Sequence, residues 1–138
     1  GFASLRLGFL LGDKSIIDSI NKMRLPYNIS TFSQIIANKF YMNPSVIDNH
    51  IQIIKNQRGI IIDFLKNFSD VKVFHSDSNF VLIKLKKSLP LYNFLRSNDL
   101  IVKNFPNEKK LLNCLRITIG KPIENKRLMS LISEFFKK

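Results

Sequence analysis

At Ser69-Asp70 the hydrophobic period of this chain changes, and that change limits the fold more than any other feature. Before it, Ile47, Ile51, Ile54, Ile61, Leu65 and Phe68 recur at helical spacing, predicting one long helix to about Phe68. Pro44-Ser45 introduces that helix, and Ser45 with Asp48 reads as an acidic variant of a capping box. Gly59 weakens it by about 1 kcal/mol relative to alanine, which a helix this long tolerates. After Ser69-Asp70 apolar residues alternate instead. VKVFH and NFVLIKL read as short strands around the turn-forming SDSN. A helix from Ser88 follows, with Leu91, Phe94 and Leu95 on one side. LIVKNF is a further strand, PNEKK a loop and CLRITIG another strand, which Gly120 ends. Pro122 then suits the first turn of a last helix with Leu128, Leu131, Ile132 and Phe135 inward. The β-β-α-β-β-α order predicts a small α+β domain, its mostly antiparallel sheet backed by helices.

The residues ahead of the long helix are of another kind. Leu5 to Leu11 reads as a buried strand closed by Gly12-Asp13. A helix from about Ser15 carries Ile16, Ile17, Ile20 and Met23 on one face, and Pro26 stops it. Ser30 or Thr31 can cap a further helix with Ile35, Ile36 and Phe40 inward. The first strand and helix form a βα fragment of a sheet whose other strands lie elsewhere.

Charge and composition exclude more than they assign. The net charge is +12, yet the excess is mostly lysine scattered along the chain. No basic block and no ladder of alternating aromatic and basic residues accompanies it, so a solvated lysine-rich surface outweighs a nucleic-acid footprint. No apolar run approaches the roughly 20 residues of a membrane span, and no secretory signal pattern is present. A lone cysteine, Cys114, rules out an internal disulfide framework and suits a reducing, cytoplasmic setting.

Three residue types could carry chemistry. In CLRITIG, Leu115, Ile117 and Ile119 face one way, so Arg116 and Thr118 face the other. An arginine near a strand end can offer a planar fork to a carboxylate or phosphate. Spacing alone favours the plainer reading, a surface arginine paired with an acid. Arg6 lies among Gly1, Ala3, Ser4 and Gly8, where backbone can approach an anion closely, but spacing alone again favours a chance arginine. His50 and His75 lack metal-ligand neighbours. Cys114 has no base partner and reads as a small buried hydrophobe.

Four stretches taken together shift this balance. GFASLRLGF resembles the segment after the Schiff-base lysine of pyridoxal-phosphate fold type I aminotransferases: Gly1, Ala3, Arg6 and Gly8 match, and Ser4 replaces a glycine. MRLPYNIS resembles the arginine-proline-tyrosine-asparagine link of the histidinol-phosphate aminotransferases. SDSNFVLIK and CLRITIGKPIENKRL are similar to their small-domain strands. The resemblance covers essentially the whole chain, in order and in register.

That resemblance implies an α/β fold: residues 1–29 as the βα end of the cofactor-binding large domain, and residues 30–138 as the α+β small domain with its connecting helices. It implies pyridoxal 5'-phosphate as cofactor in the full-length enzyme, with Arg6 on the cofactor phosphate. Arg116 would bind the anionic end of the substrate, the phosphate of histidinol phosphate or a carboxylate of glutamate. Lys103 stands where the family usually has an arginine that also binds substrate; it keeps the charge and loses the fork. Tyr27 and Asn79 match family positions that read as architectural. The resemblance further implies a homodimeric full-length enzyme and a place in histidine biosynthesis. The Schiff-base lysine would precede Gly1, so these residues alone are expected to be inactive, and no catalytic or metal-binding residue is assigned among them. Two alternatives remain open: a related class I/II aminotransferase with another substrate, and a non-catalytic basic binding module. Membrane and nucleic-acid partners are not expected.

Overall fold

The computed structural model describes residues 3–137; Gly1, part of the opening motif, lies outside them. Contacts divide the chain into two units, residues 1–49 and 50–138, and the division falls within a helix.

In the first unit a short 3-10 turn, Ala3–Leu5, precedes helices α1 (Lys14–Met23) and α2 (Thr31–Tyr41) and the start of α3 (Pro44–Lys66). Each helix start has a local cause. Asp13 caps α1, its carboxylate accepting from Ser15 N at 2.8 Å and from Ser15 Oγ at 2.6 Å. Ser30, rather than Thr31, caps α2 by accepting from Ser33 N at 3.0 Å. Pro44 is itself the first residue of α3, so Ser45 lies inside the helix and does not precede it as the capping-box reading required.

The strand expected over Leu5–Leu11 does not form. Those residues run from the 3-10 turn into irregular chain, with Leu11 92% exposed. A strand is held by ladder hydrogen bonds to a neighbour, and among the described residues none pairs with this segment. The apolar faces expected on α1 and α2 exist but are largely uncovered: Ile16, Ile20, Met23 and Ile35 are exposed, and Ile17 and Ile36 half-buried.

The second unit carries the core. Strands β1 (Lys72–Val73), β2 (Phe80–Lys84), β3 (Lys103–Asn104) and β4 (Cys114–Thr118) form a four-stranded sheet in the order β1-β2-β4-β3. Every pairing is antiparallel. Val81 and Ile83 of β2 and Leu115 and Ile117 of β4 point to one face and are buried. They form one cluster with Ile61 and Leu65 of α3, Leu91 and Leu95 of α4 (Ser88–Ser97), and Leu128 and Ile132 of α5 (Pro122–Lys137). The helical periodicity after Pro44, Ser88 and Pro122 and the alternation within β2 and β4 thus meet in a single core. Phe68 falls just beyond α3, which ends at Lys66, and stacks on Phe136 with ring centroids 4.5 Å apart. The strands expected in VKVFH and LIVKNF shrink to two residues each, and they form the two edges of the sheet.

The turn from β4 into α5 is tightly specified. Asn125 is 2% exposed; its Oδ1 accepts from Gly120 N, and its Nδ2 donates to Gly120 O and Gln57 Oε1, each at 2.9 Å. Glu124 accepts from Lys121 N at 2.7 Å and closes the first turn of α5. A Cβ at Gly120 would lie 2.5 Å from Glu124 Oε2 and 3.2 Å from its Cβ, so any larger residue would displace the capping carboxylate.

Candidate functional site

The face of the sheet turned away from the core carries the candidate site. Alternation in CLRITIG sends Arg116 and Thr118 to this face, opposite Leu115 and Ile117. Register places Lys103 directly across from Arg116, and Leu82 across from it on the other side. The structure therefore brings together the two residues for which the family resemblance implies a role in substrate binding. Directly opposed residues of an antiparallel pair have Cβ atoms about 5 Å apart, and both side chains are exposed.

Two like charges across a strand pair oppose each other. An acid would relieve this, yet the ion pairs Lys14–Asp18, Arg58–Asp77, Lys66–Asp63 and His75–Asp77 involve neither residue. Among the described residues Arg116 and Lys103 have no acidic partner, contrary to the plainer reading of Arg116 as one half of a surface ion pair. Their non-covalent neighbours are rings: the Arg116 guanidinium lies 5.2 Å from the Phe80 centroid, and Lys103 Nζ lies 5.9 Å from that of Phe105. The arrangement leaves a planar five-donor fork and an ammonium beside it free for an anion.

Arg6 lies in the first unit, directly after the 3-10 turn. Its φ of 56° is left-handed backbone, which a non-glycine residue adopts only under local constraint. The constraint is visible: Ser33 Oγ donates to Leu5 O at 2.9 Å, fixing the residue before it. Arg6 and Ser4 are exposed, Arg6 has no acidic partner among the described residues, and the space around Gly8 is open. A phosphate fits this donor set chemically. Tyr27 shares the left-handed conformation, with φ of 57°, and is 99% exposed.

The remaining candidates lie elsewhere. His50 is exposed on α3, and His75 sits in a loop with Nε2 2.9 Å from Asp77 Oδ2. Cys114 is buried, as a small hydrophobe would be. Asn79 contributes backbone, its carbonyl accepting from Ile119 N at 2.8 Å. No cluster of metal-binding side chains occurs among the described residues. Nor is any of their helices long and apolar enough to cross a membrane. Phe80 escaped sequence reasoning. Its place on the Arg116 face follows from alternation in NFVLIKL, but its neighbour depends on the β2–β4 register.

The family profile for aminotransferases of class I and II matches residues 1–132. The chain belongs to that family. Among curated proteins, a histidinol-phosphate aminotransferase of Vesicomyosocius okutanii subsp. Calyptogena okutanii is 37% identical over 136 residues, covering 99% of this chain and 38% of that protein. The histidinol-phosphate aminotransferase of Clostridium kluyveri is 33% identical over 135 residues, covering 98% and 38%. The chain thus spans about 38% of the length of these relatives. Among solved structures, a candidate aminotransferase from Burkholderia pseudomallei superposes with a TM-score of 0.88 at 28% identity, over 98% of this chain and 41% of that one. The L-threonine-O-3-phosphate decarboxylase of Porphyromonas gingivalis shares the fold alone, with a TM-score of 0.76 at 20% identity over 93% and 41%. Aminotransferase membership implies pyridoxal 5'-phosphate as the cofactor of the full-length enzyme, and the α/β architecture agrees with these structural neighbours.

Proposed function

We propose that the chain is the C-terminal part of a histidinol-phosphate aminotransferase that moves an amino group between L-histidinol phosphate and 2-oxoglutarate in histidine biosynthesis. The observation that carries this reading is the cross-strand pair of Arg116 and Lys103, two exposed cations in register with no acid beside them. The names of the curated relatives point to the same substrate.

When bound, pyridoxal 5'-phosphate supplies the electron sink for the amino transfer. The residues of this chain bind and orient. Arg116 grips the anionic end of either substrate; a bidentate fork suits a phosphate and a carboxylate alike, so one residue serves both half-reactions. Lys103 adds a compact positive charge where a phosphate carries a second negative one. Arg6, with Ser4 beside it, holds the cofactor phosphate. On this reading residues 1–29 close the large domain, residues 30–138 form the small domain, and the full-length enzyme works as a cytoplasmic homodimer.

None of the lysines in these 138 residues lies in a Schiff-base motif, so the chain by itself transfers no amino group. The test is a substrate panel on the full-length enzyme. Histidinol phosphate with 2-oxoglutarate should give the highest kcat/KM. A non-phosphorylated amino acid used better would overturn the assignment.

A further inference from the structure

Arg116 is held in an unusual way for a residue meant to meet an anion. Flexible arginines are commonly ordered by a carboxylate, but a carboxylate would occupy the same N–H donors the substrate needs and would repel it. Here the ordering group is an aromatic ring. Arg116 Cζ lies over the Phe80 ring, 5.2 Å from its centroid; a ring attracts the cation without bringing a negative charge that would compete with an anionic ligand for its N–H donors. The ring is itself well placed. Phe80 is the register partner of Thr118, diagonal to Arg116 across the β2–β4 pair. It is half-buried, and its carbonyl accepts from Ser76 Oγ at 2.5 Å. The loop before it is pinned by Arg58, whose Nη1 donates to Ser78 O at 2.8 Å.

We propose that Phe80 is a positioning residue for substrate binding: it holds the Arg116 guanidinium by a cation–ring contact, so that the fork is ordered without an acid competing for its donors and stays available to a phosphate or carboxylate. This rests on the assignment of Arg116 to substrate binding. Pre-organisation of this kind acts on affinity for every anionic substrate that uses the fork.

The test is a mutant cycle in the full-length enzyme with histidinol phosphate and 2-oxoglutarate. Phe80→Leu should raise KM for both substrates by roughly two- to fivefold, the worth of one exposed cation–ring contact, with kcat nearly unchanged. Phe80→Tyr, which keeps the ring, should restore KM. In an Arg116→Ala background, Phe80→Leu should raise KM no further. If Arg116→Ala raises KM while Phe80→Leu does not, or if the two effects simply multiply, the positioning role is overturned and the site assignment stands. If Arg116→Ala itself leaves KM unchanged, the site assignment fails. Should Phe80→Leu fold poorly, Phe80→Tyr remains decisive: a KM rise as large as that of Arg116→Ala would overturn the proposal.

Discussion

Replacing Asn125 with alanine should destabilise the second unit far more than its place in a polar helix start suggests. The side chain is 2% exposed and makes three hydrogen bonds, to Gly120 N, Gly120 O and Gln57 Oε1. Each is worth about 1 kcal/mol net, and buried partners left unsatisfied add to the loss. Gly120 is half-buried, so water can reach part of what alanine uncovers. The expected loss is therefore about 2–4 kcal/mol. With a urea dependence of about 1–2 kcal/mol per molar for a unit of this size, the midpoint should fall by roughly 2 M. Urea unfolding of the chain followed by circular dichroism measures this directly. Gln57→Ala, which removes only one of the three bonds, should cost about 1 kcal/mol. A loss below about 1 kcal/mol for Asn125→Ala would refute the idea that this amide fixes the β4–α5 turn.

Gly59→Ala should stabilise the chain by about 1 kcal/mol, since a Cβ there meets nothing within 4 Å and the residue lies within α3; an unchanged urea midpoint would count against that. The hydroxyl and backbone N–H of Ser15 hold the Asp13 carboxyl below its ordinary value of 3.8. A carboxyl depressed in the folded state contributes above 3.8 and loses its contribution as pH falls through the folded value. Helicity of α1 should therefore decline on acidification below about 3.8, and Asp13→Asn, which still caps, should remove that dependence.

What could be read in advance was whatever depends on neighbours in sequence. The phase of Ile61 and Leu65, the alternation of Leu115, Arg116 and Ile117, and a cap at Ser30 or Thr31 are local, and each reappears in the structure, the cap at Ser30. Leu5–Leu11 has a strand's composition, but a strand needs a partner, and composition cannot supply one. The site was half legible. Alternation places Arg116 on the open face, whereas its meeting with Lys103 and Phe80 comes from the order β1-β2-β4-β3 and its register, which no local pattern encodes. Asn125 was overlooked for a related reason: within PIENKRL it looks like one more polar helix residue, and its partners lie outside that helix, Gln57 on α3 and Gly120 in the β4–α5 turn.

The most direct test is Arg116→Ala in the full-length enzyme, measuring KM for histidinol phosphate and for 2-oxoglutarate beside the amount of cofactor retained. Loss of a charge-assisted fork should raise both KM values by roughly ten- to hundredfold while pyridoxal 5'-phosphate stays bound. Unchanged KM values with loss of the cofactor would contradict the assignment of Arg116 to the substrate.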